Sequence, residues 1–272
     1  MSATTKLENP SDLSFEEYNR WQNNAVLIEN IRNQSFNLKS TDKYVFNGED
    51  WLINDYEGFA IISTVNGNPE NEHCFNRLVD LKHDLESRFK NKDSYYWLPE
   101  ESYHQTIANT LSNEKFKVNI KEPGLVNQYS GIIETAFKKI TVPSFSTPVA
   151  IQMLGFNVFG SCIALLGVFE NEYDYQRILS FRKQFYSDPV LNNHGIKLTR
   201  PFIGHITFAY LGKELTDNER EELTGILTNL NTMIESMKIV FKISIAELRY
   251  FKNLSKFHKE PEYPTFNFTT DN

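Results

Sequence analysis

Cysteine, long apolar runs and positive charge are all scarce in this chain, and each shortage removes a class of protein. The two cysteines, Cys74 and Cys162, show no metal-ligand spacing, and no cluster of carboxylates, His or Cys supplies one. No metal and no cofactor are therefore expected, and the thiols read as buried and free in a reducing compartment, with a disulfide the lesser alternative. No stretch approaches the roughly eighteen consecutive apolar residues that a membrane-spanning helix needs. The opening MSATTKLENPSDL has no apolar segment behind a basic start, so no secretory leader is expected and the chain reads as cytoplasmic. Lys and Arg number 28 against 35 Asp and Glu, for a net charge of −7. Proteins that grip long duplex nucleic acid draw much of their affinity from a basic surface, so such a substrate is disfavoured. A small nucleotide or a short RNA end, which needs only a few local donors, stays compatible. The sequence also lacks a Gly-x-Ser-x-Gly elbow and a Gly-x-x-x-x-Gly-Lys-Ser/Thr loop, and neither cysteine lies near a His-bearing loop. Serine or cysteine nucleophile enzymes and P-loop kinases are disfavoured on that ground.

What is present is a pair: His104-Gln105-Thr106-Ile107 and His205-Ile206-Thr207-Phe208. Side chains at i and i+2 of a strand share a face, so each motif sets an imidazole beside a hydroxyl. With six His and 37 Ser or Thr in 272 residues, chance alone gives about 0.8 His-x-Ser/Thr matches, so context must carry the reading. The context is a repeat. Asn71-Glu72 opens NEHCFNRLVDLKHDLESRF and Asn171-Glu172 opens NEYDYQRILSFRKQFY; aligned without a gap, Phe75 meets Tyr175, Arg77 meets Arg177 and Lys82 meets Arg182. An apolar run precedes each of these helix candidates, Gly58–Val65 and Cys162–Phe169. A second amphipathic helix follows each His, near Val126–Ile140 and Thr216–Ser236, and then a strand, Val149–Phe156 and Met237–Ile245.

Both halves thus read strand, helix, strand, His-x-Thr strand, helix, strand, an order like a ferredoxin-like unit met twice. The expected fold is α+β, with two pseudo-symmetric ferredoxin-like lobes around a central cleft, and 40% hydrophobic content is enough to fill them. The expected divisions are an N-terminal helical extension over 1–42, lobe one over 43–157, lobe two over 158–254 and an irregular tail over 255–272. Ser14-Phe-Glu-Glu17 reads as a capping box opening a helix to about Arg32, with Trp21, Ala25, Ile28 and Arg32 on one stripe. That helix packs on a lobe or makes a subunit contact; the oligomeric state stays open. Asn47-Gly48 marks a turn after a strand beginning near Lys43.

The two motifs in this setting resemble the two-histidine phosphoesterase superfamily, whose members carry two His-x-Ser/Thr motifs in two pseudo-symmetric lobes. The tail of the second motif, His205-Ile-Thr-Phe-Ala-Tyr-Leu-Gly212, is especially similar. In the first, Gln105 is polar where many members have an apolar residue, and Ala108-Asn109-Thr110 lacks the aromatic-Leu-Gly tail. The likeness spans roughly Lys43 to Leu254.

The residues and the resemblance point to one chemistry. An unperturbed imidazole titrates near pH 6.5, so two of them flanking a phosphate can divide proton removal and proton delivery. Two Thr hydroxyls can hold the non-bridging oxygens in line. His104, Thr106, His205 and Thr207 are the candidate catalytic set, with which His is base left open. The expected reaction is metal-independent cleavage of a 2′,3′-cyclic phosphate or a related RNA or nucleotide diester. A module that binds a nucleotide or RNA end without turnover is the alternative. Arg200, Tyr103, Phe156 and Tyr250 are candidates for substrate contact; each has a plainer role as a strand-end charge or a core aromatic.

Overall fold

The computed structural model describes residues 12–143 and 145–270. The start of the expected N-terminal extension and the last two residues of the tail lie outside them. In chain order the helices are α1 (Phe15–Ala25), α2 (Ile28–Asn37), α3 (Glu72–Arg88), α4 (Asn113–Phe116), α5 (Val126–Phe137), α6 (Glu172–Ser187), α7 (Pro189–Asn193) and α8 (Asp217–Met237). The strands are β1 (Tyr44–Phe46), β2 (Trp51–Ile53), β3 (Gly58–Thr64), β4 (Tyr95–Trp97), β5 (His104–Ser112), β6 (Val149–Phe159), β7 (Cys162–Phe169), β8 (His205–Leu211), β9 (Val240–Ile243), β10 (Ile245–Phe251) and β11 (Thr265–Asn267). The fold is α+β and its sheets are antiparallel: a hairpin β1-β2, a four-stranded sheet β11-β10-β3-β5 and a five-stranded sheet β4-β8-β7-β6-β9. Among the described residues no helix is long and apolar enough to cross a membrane.

Local chemistry sets the element ends. The Ser14–Glu17 capping box forms in both directions and opens α1; Thr216 and Glu219 do the same for α8. α3 and α6 both begin at the aligned Glu, Glu72 and Glu172. The apolar runs become β3 and β7, the former buried through six of its seven residues. Gly48, at φ +104°, makes the β1-β2 turn where a side chain would be strained.

Four expectations are corrected. The N-terminal helix does not run on to Arg32; it breaks at Val26-Leu27 into α1 and α2. Its buried residues are Tyr18 and Gln22, then Ile31 and Ser35, while Ile28 and Arg32 face solvent. The boundary at 157/158 does not divide the sheets, because β4 and β6 from the first half pair within the five-stranded sheet, and β10 and β11 from the far end complete the four-stranded one. The single strand expected over Met237–Ile245 is the end of α8, then β9, then a change of sheet at Ser244 into β10. Lastly, the tail is not irregular throughout: β11 pairs with β10, and Phe268 is fully buried against Phe181.

The sheets hold each other by these exchanges. Asn71, buried at the start of α3, trades two 2.8 Å hydrogen bonds with the backbone of Lys242 in β9. Arg177 of α6 pairs with Asp174 and donates to the carbonyls of Thr147 and Phe268. The aromatic rings of Phe137, Phe181 and Phe266 close the core between α5, α6 and β11.

Candidate active site

The two motif strands carry the same local irregularity. Along β3 and β5, Thr106 faces Ile62 and Ala108 faces Ile61, leaving Ile107 as an extra residue; along β7 and β8, Thr207 faces Ala164 and Ala209 faces Ile163, leaving Phe208 extra. Each is a β-bulge one residue past the motif Thr. Consequently both strands open with the burial sequence half-buried, buried, half-buried, buried, buried, half-buried. His104, Thr106 and Asn109 share the half-buried face of β5, and His205, Thr207 and Tyr210 that of β8.

The imidazoles are pinned alike. His104 Nδ1 lies 2.7 Å from the carbonyl of Ser102, and His205 Nδ1 lies 2.9 Å from that of Ile203. A carbonyl only accepts, so Nδ1 carries the proton in each ring and Nε2 is left as the basic atom. Phe257 lies 4.3 Å from the His104 ring and Phe159 5.2 Å from the His205 ring. Burial among such groups lowers both imidazoles from 6.5 to about 4, against the opposing pull of the backbone carbonyls. The charge of Arg200, and to a lesser degree that of His104, lowers His205 further.

Gln105 joins the two strands. Its side chain is fully buried. Oε1 accepts from the backbone N–H of His205 at 2.7 Å, and Nε2 donates to the carbonyls of Ile203 at 3.0 Å and Thr106 at 2.8 Å. Gln105, polar at a fully buried position, is thus a cross-sheet tie. Below it the Tyr103 and Phe208 rings stack at 4.8 Å. Arg182, also buried, donates to the carbonyls of Ile107 (the bulge residue) and Arg200, and its Nε pairs with Asp12. Asp12 in turn accepts from Phe202 N–H at 2.8 Å, while Gln22 of α1 donates to the carbonyls of Gly167 and Gly204. Gly204 has no room for a side chain: a Cβ there would lie 2.6 Å from the Tyr18 hydroxyl. The N-terminal helix therefore braces the segment that delivers His205.

Gln105 thus brings the strand of His104 and Thr106 against the segment that opens the strand of His205 and Thr207. Arg200 stands beside this joint, exposed, with Nη2 donating to Asn109 Oδ1 at 3.1 Å. The other three expected contacts do not line it. Tyr103 is buried against Phe208, and Phe156 is buried with its ring edge-on to Phe208 at 4.9 Å. Tyr250 pairs with Phe59 on the opposite face of the four-stranded sheet from Thr106, and its hydroxyl donates to Glu57. In their place stand Phe257 against the His104 ring, Asn109 beside Arg200 and Tyr210 on the His205 face of its strand. The shared pattern His-x-Thr-apolar-Ala-polar is a sequence signal for Asn109 and Tyr210; nothing local marks Phe257.

Cys162 lies beside Thr207, but burial pushes its thiol up to about 12, so it is no nucleophile at neutral pH. Among the described residues no group of three His, Cys, Asp or Glu is arranged to hold a metal ion. A separate hollow of about 520 Å³ between α5 and β11, lined by Glu134, Lys138 and Pro261–Asn267, holds no His or Cys.

No family model matches this chain, and no curated protein is similar to it in sequence. Among solved structures, it is similar to the crystal structure of a conserved protein of unknown function, ATU0111 from Agrobacterium tumefaciens str. C58. The two share 12% identity with a TM-score of 0.55 over 76% of this chain and 86% of that one. The crystal structure of TT0787 from Thermus thermophilus matches at 11% identity and a TM-score of 0.42, over 80% of this chain and 100% of that one. The first likeness bears on the fold alone.

Proposed function

We propose that this protein is a metal-independent phosphoesterase that opens a 2′,3′-cyclic phosphate, or a related nucleotide or RNA-end diester, by paired imidazole catalysis. The observation that carries the reading is the matching pair of pinned imidazoles, each with Nε2 unbonded among the described residues and a Thr hydroxyl on its own face, their strands tied together by Gln105. One neutral Nε2 removes a proton from the attacking water as its oxygen bonds phosphorus. The other imidazole, protonated once the anionic substrate is bound, gives its proton to the ribose oxygen as the P–O bond breaks. Thr106 and Thr207 donate to the non-bridging oxygens, and the bound anion offsets the burial that keeps both rings neutral in the free protein. Two ferredoxin-like units with exchanged strands, the family's duplicated plan, would account for the identical bulges and Nδ1 bonds.

The test is a panel of cyclic phosphates with product identification by mass spectrometry, run with and without chelator. His104→Ala and His205→Ala should each lower kcat by roughly 10² to 10⁴ and leave the fold intact. Wild-type turnover by both variants on every substrate would end the proposal. The depressed basicity of both rings favours one rival, a module that holds a nucleotide or RNA end without turning it over; tight binding with no product across the panel would select it.

A further inference from the structure

Lys43 stands at the base of the β1-β2 hairpin, where its carbonyl accepts from Asn54 N–H at 2.9 Å. Its side chain is half-buried, and Nζ sits 4.3 Å from the centre of the Tyr56 ring and 5.5 Å from that of Tyr210. Tyr210 belongs to the His205–Thr207 face of β8. The cation is therefore held by two rings at the edge of the site, not spread into solvent. It has no ion pair among the described residues, although carboxylates flank Tyr56 in sequence: Asp55 pairs with Lys252, and Glu57 with Lys121 and the Tyr250 hydroxyl. Among the described residues Arg200 bonds through its side chain only to the neutral Asn109. In a chain of net charge −7, two cations without carboxylate partners among the described residues, both near the His205–Thr207 face, need a reason. The charges of both are felt at the Cys162 thiol beside Thr207.

We propose that Lys43, clamped by Tyr56 and Tyr210, is a second anion subsite, and that the preferred substrate carries a further phosphate beside the cyclic ester that is opened. This rests on the phosphoesterase reading and narrows its substrate class. The extra group is either a 5′-phosphate on the same nucleoside or the next internucleotide phosphate of an RNA end.

Three probes separate these outcomes: a nucleoside 2′,3′-cyclic phosphate, its 5′-phosphorylated form and a dinucleotide ending in the cyclic phosphate. Each is measured for kcat/KM and, by calorimetry, for binding to wild type, Lys43→Met and Lys43→Arg. Methionine keeps the apolar stem against the rings and removes the charge. A charge-assisted contact is worth roughly ten- to a hundredfold in affinity. Wild type should favour one phosphorylated probe over the bare one by about that factor, Lys43→Met should abolish the preference while still opening the bare probe, and Lys43→Arg should restore most of it. Which phosphorylated probe gains identifies the source of the phosphate. A preference that survives in Lys43→Met, or none in wild type, overturns the subsite and leaves the phosphoesterase reading standing. If no probe is turned over, that reading fails, and the calorimetric comparison of wild type with Lys43→Met still decides the subsite.

Discussion

Replacing Gln105 by Leu isolates the tie between the two motif strands. The two side chains are close in volume, so little cavity opens, and the loss is polar. Three hydrogen bonds of 2.7, 2.8 and 3.0 Å disappear from a fully buried site. The Ile203 carbonyl keeps the His205 Nδ1–H as a donor, so it is not orphaned. The His205 N–H is the group left without the partner Gln105 gave it, and such a buried donor costs roughly 1–3 kcal/mol. With the other bonds at about 1 kcal/mol each, the total is about 3–5 kcal/mol, read as a lowered urea midpoint at unchanged slope. Activity should fall further than stability alone explains. A displacement of about 1 Å between reacting groups costs on the order of 10²-fold, so kcat should fall about a hundredfold while KM changes less. Imidazole proton resonances of His205 should shift more than those of His104, because only His205 loses a backbone partner. A variant with the wild-type midpoint and an undisturbed His205 signal would refute the bridge, and with it the claim that sheet docking sets the distance between the rings.

Two further outcomes follow from buried charge. Burial holds both folded imidazoles near 4, below the unfolded 6.5, so between those values the unfolded chain binds protons that the folded chain refuses. Their contribution to stability is complete above pH 6.5 and is lost as the pH falls toward 4, by up to about 3 kcal/mol per ring. A His104→Gln/His205→Gln double variant should therefore gain on wild type as pH falls through that window, measured by denaturant melts at pH 7 and at pH 4.5; equal losses in both proteins would contradict the burial. Arg182→Met removes the partner of Asp12 and the donor to Ile107 and Arg200, and should cost about 3–5 kcal/mol. An unchanged melting temperature would show that this buried cation anchors nothing.

Much of this is open to reading in the sequence because it depends on local pattern. The His-x-Thr spacing decides which side chains share a face, the apolar runs become β3 and β7, and the Asn-Glu pairs mark the starts of α3 and α6. What stays hidden is pairing between distant segments. An alternating pattern shows that a strand has a buried face, yet not which sheet it joins, so chain order misplaces β4, β6 and β10. Two prolines in the tail argue for irregular chain, while Phe266 and Phe268, two apart, are the quieter sign of β11. Tyr103, Phe156 and Tyr250 lie close to the motifs in sequence or on nearby strands, and the pleat turns them away from the joint. Gln105 is legible as an oddity and not as a link, since its partners across the joint lie about a hundred residues away.

That link explains why the site and the fold are hard to separate in this chain. β5 is the edge of one sheet and β8 an inner strand of the other, so no shared ladder aligns the two motifs. Their relative position comes from side chains beneath the joint: the Gln105 amide, the Tyr103–Phe208 stack and the Arg182 guanidinium reaching the bulge residue of β5 and the approach to β8. Arg182 is itself held by Asp12, and Gly204 is packed by Tyr18 and held by Gln22. The N-terminal stretch ahead of the repeat thus supplies the last support of the second imidazole. A joint assembled in this way keeps its two imidazoles at fixed separation only while every exchanged segment is docked, which couples the geometry between them to the stability of the whole chain and not to either half.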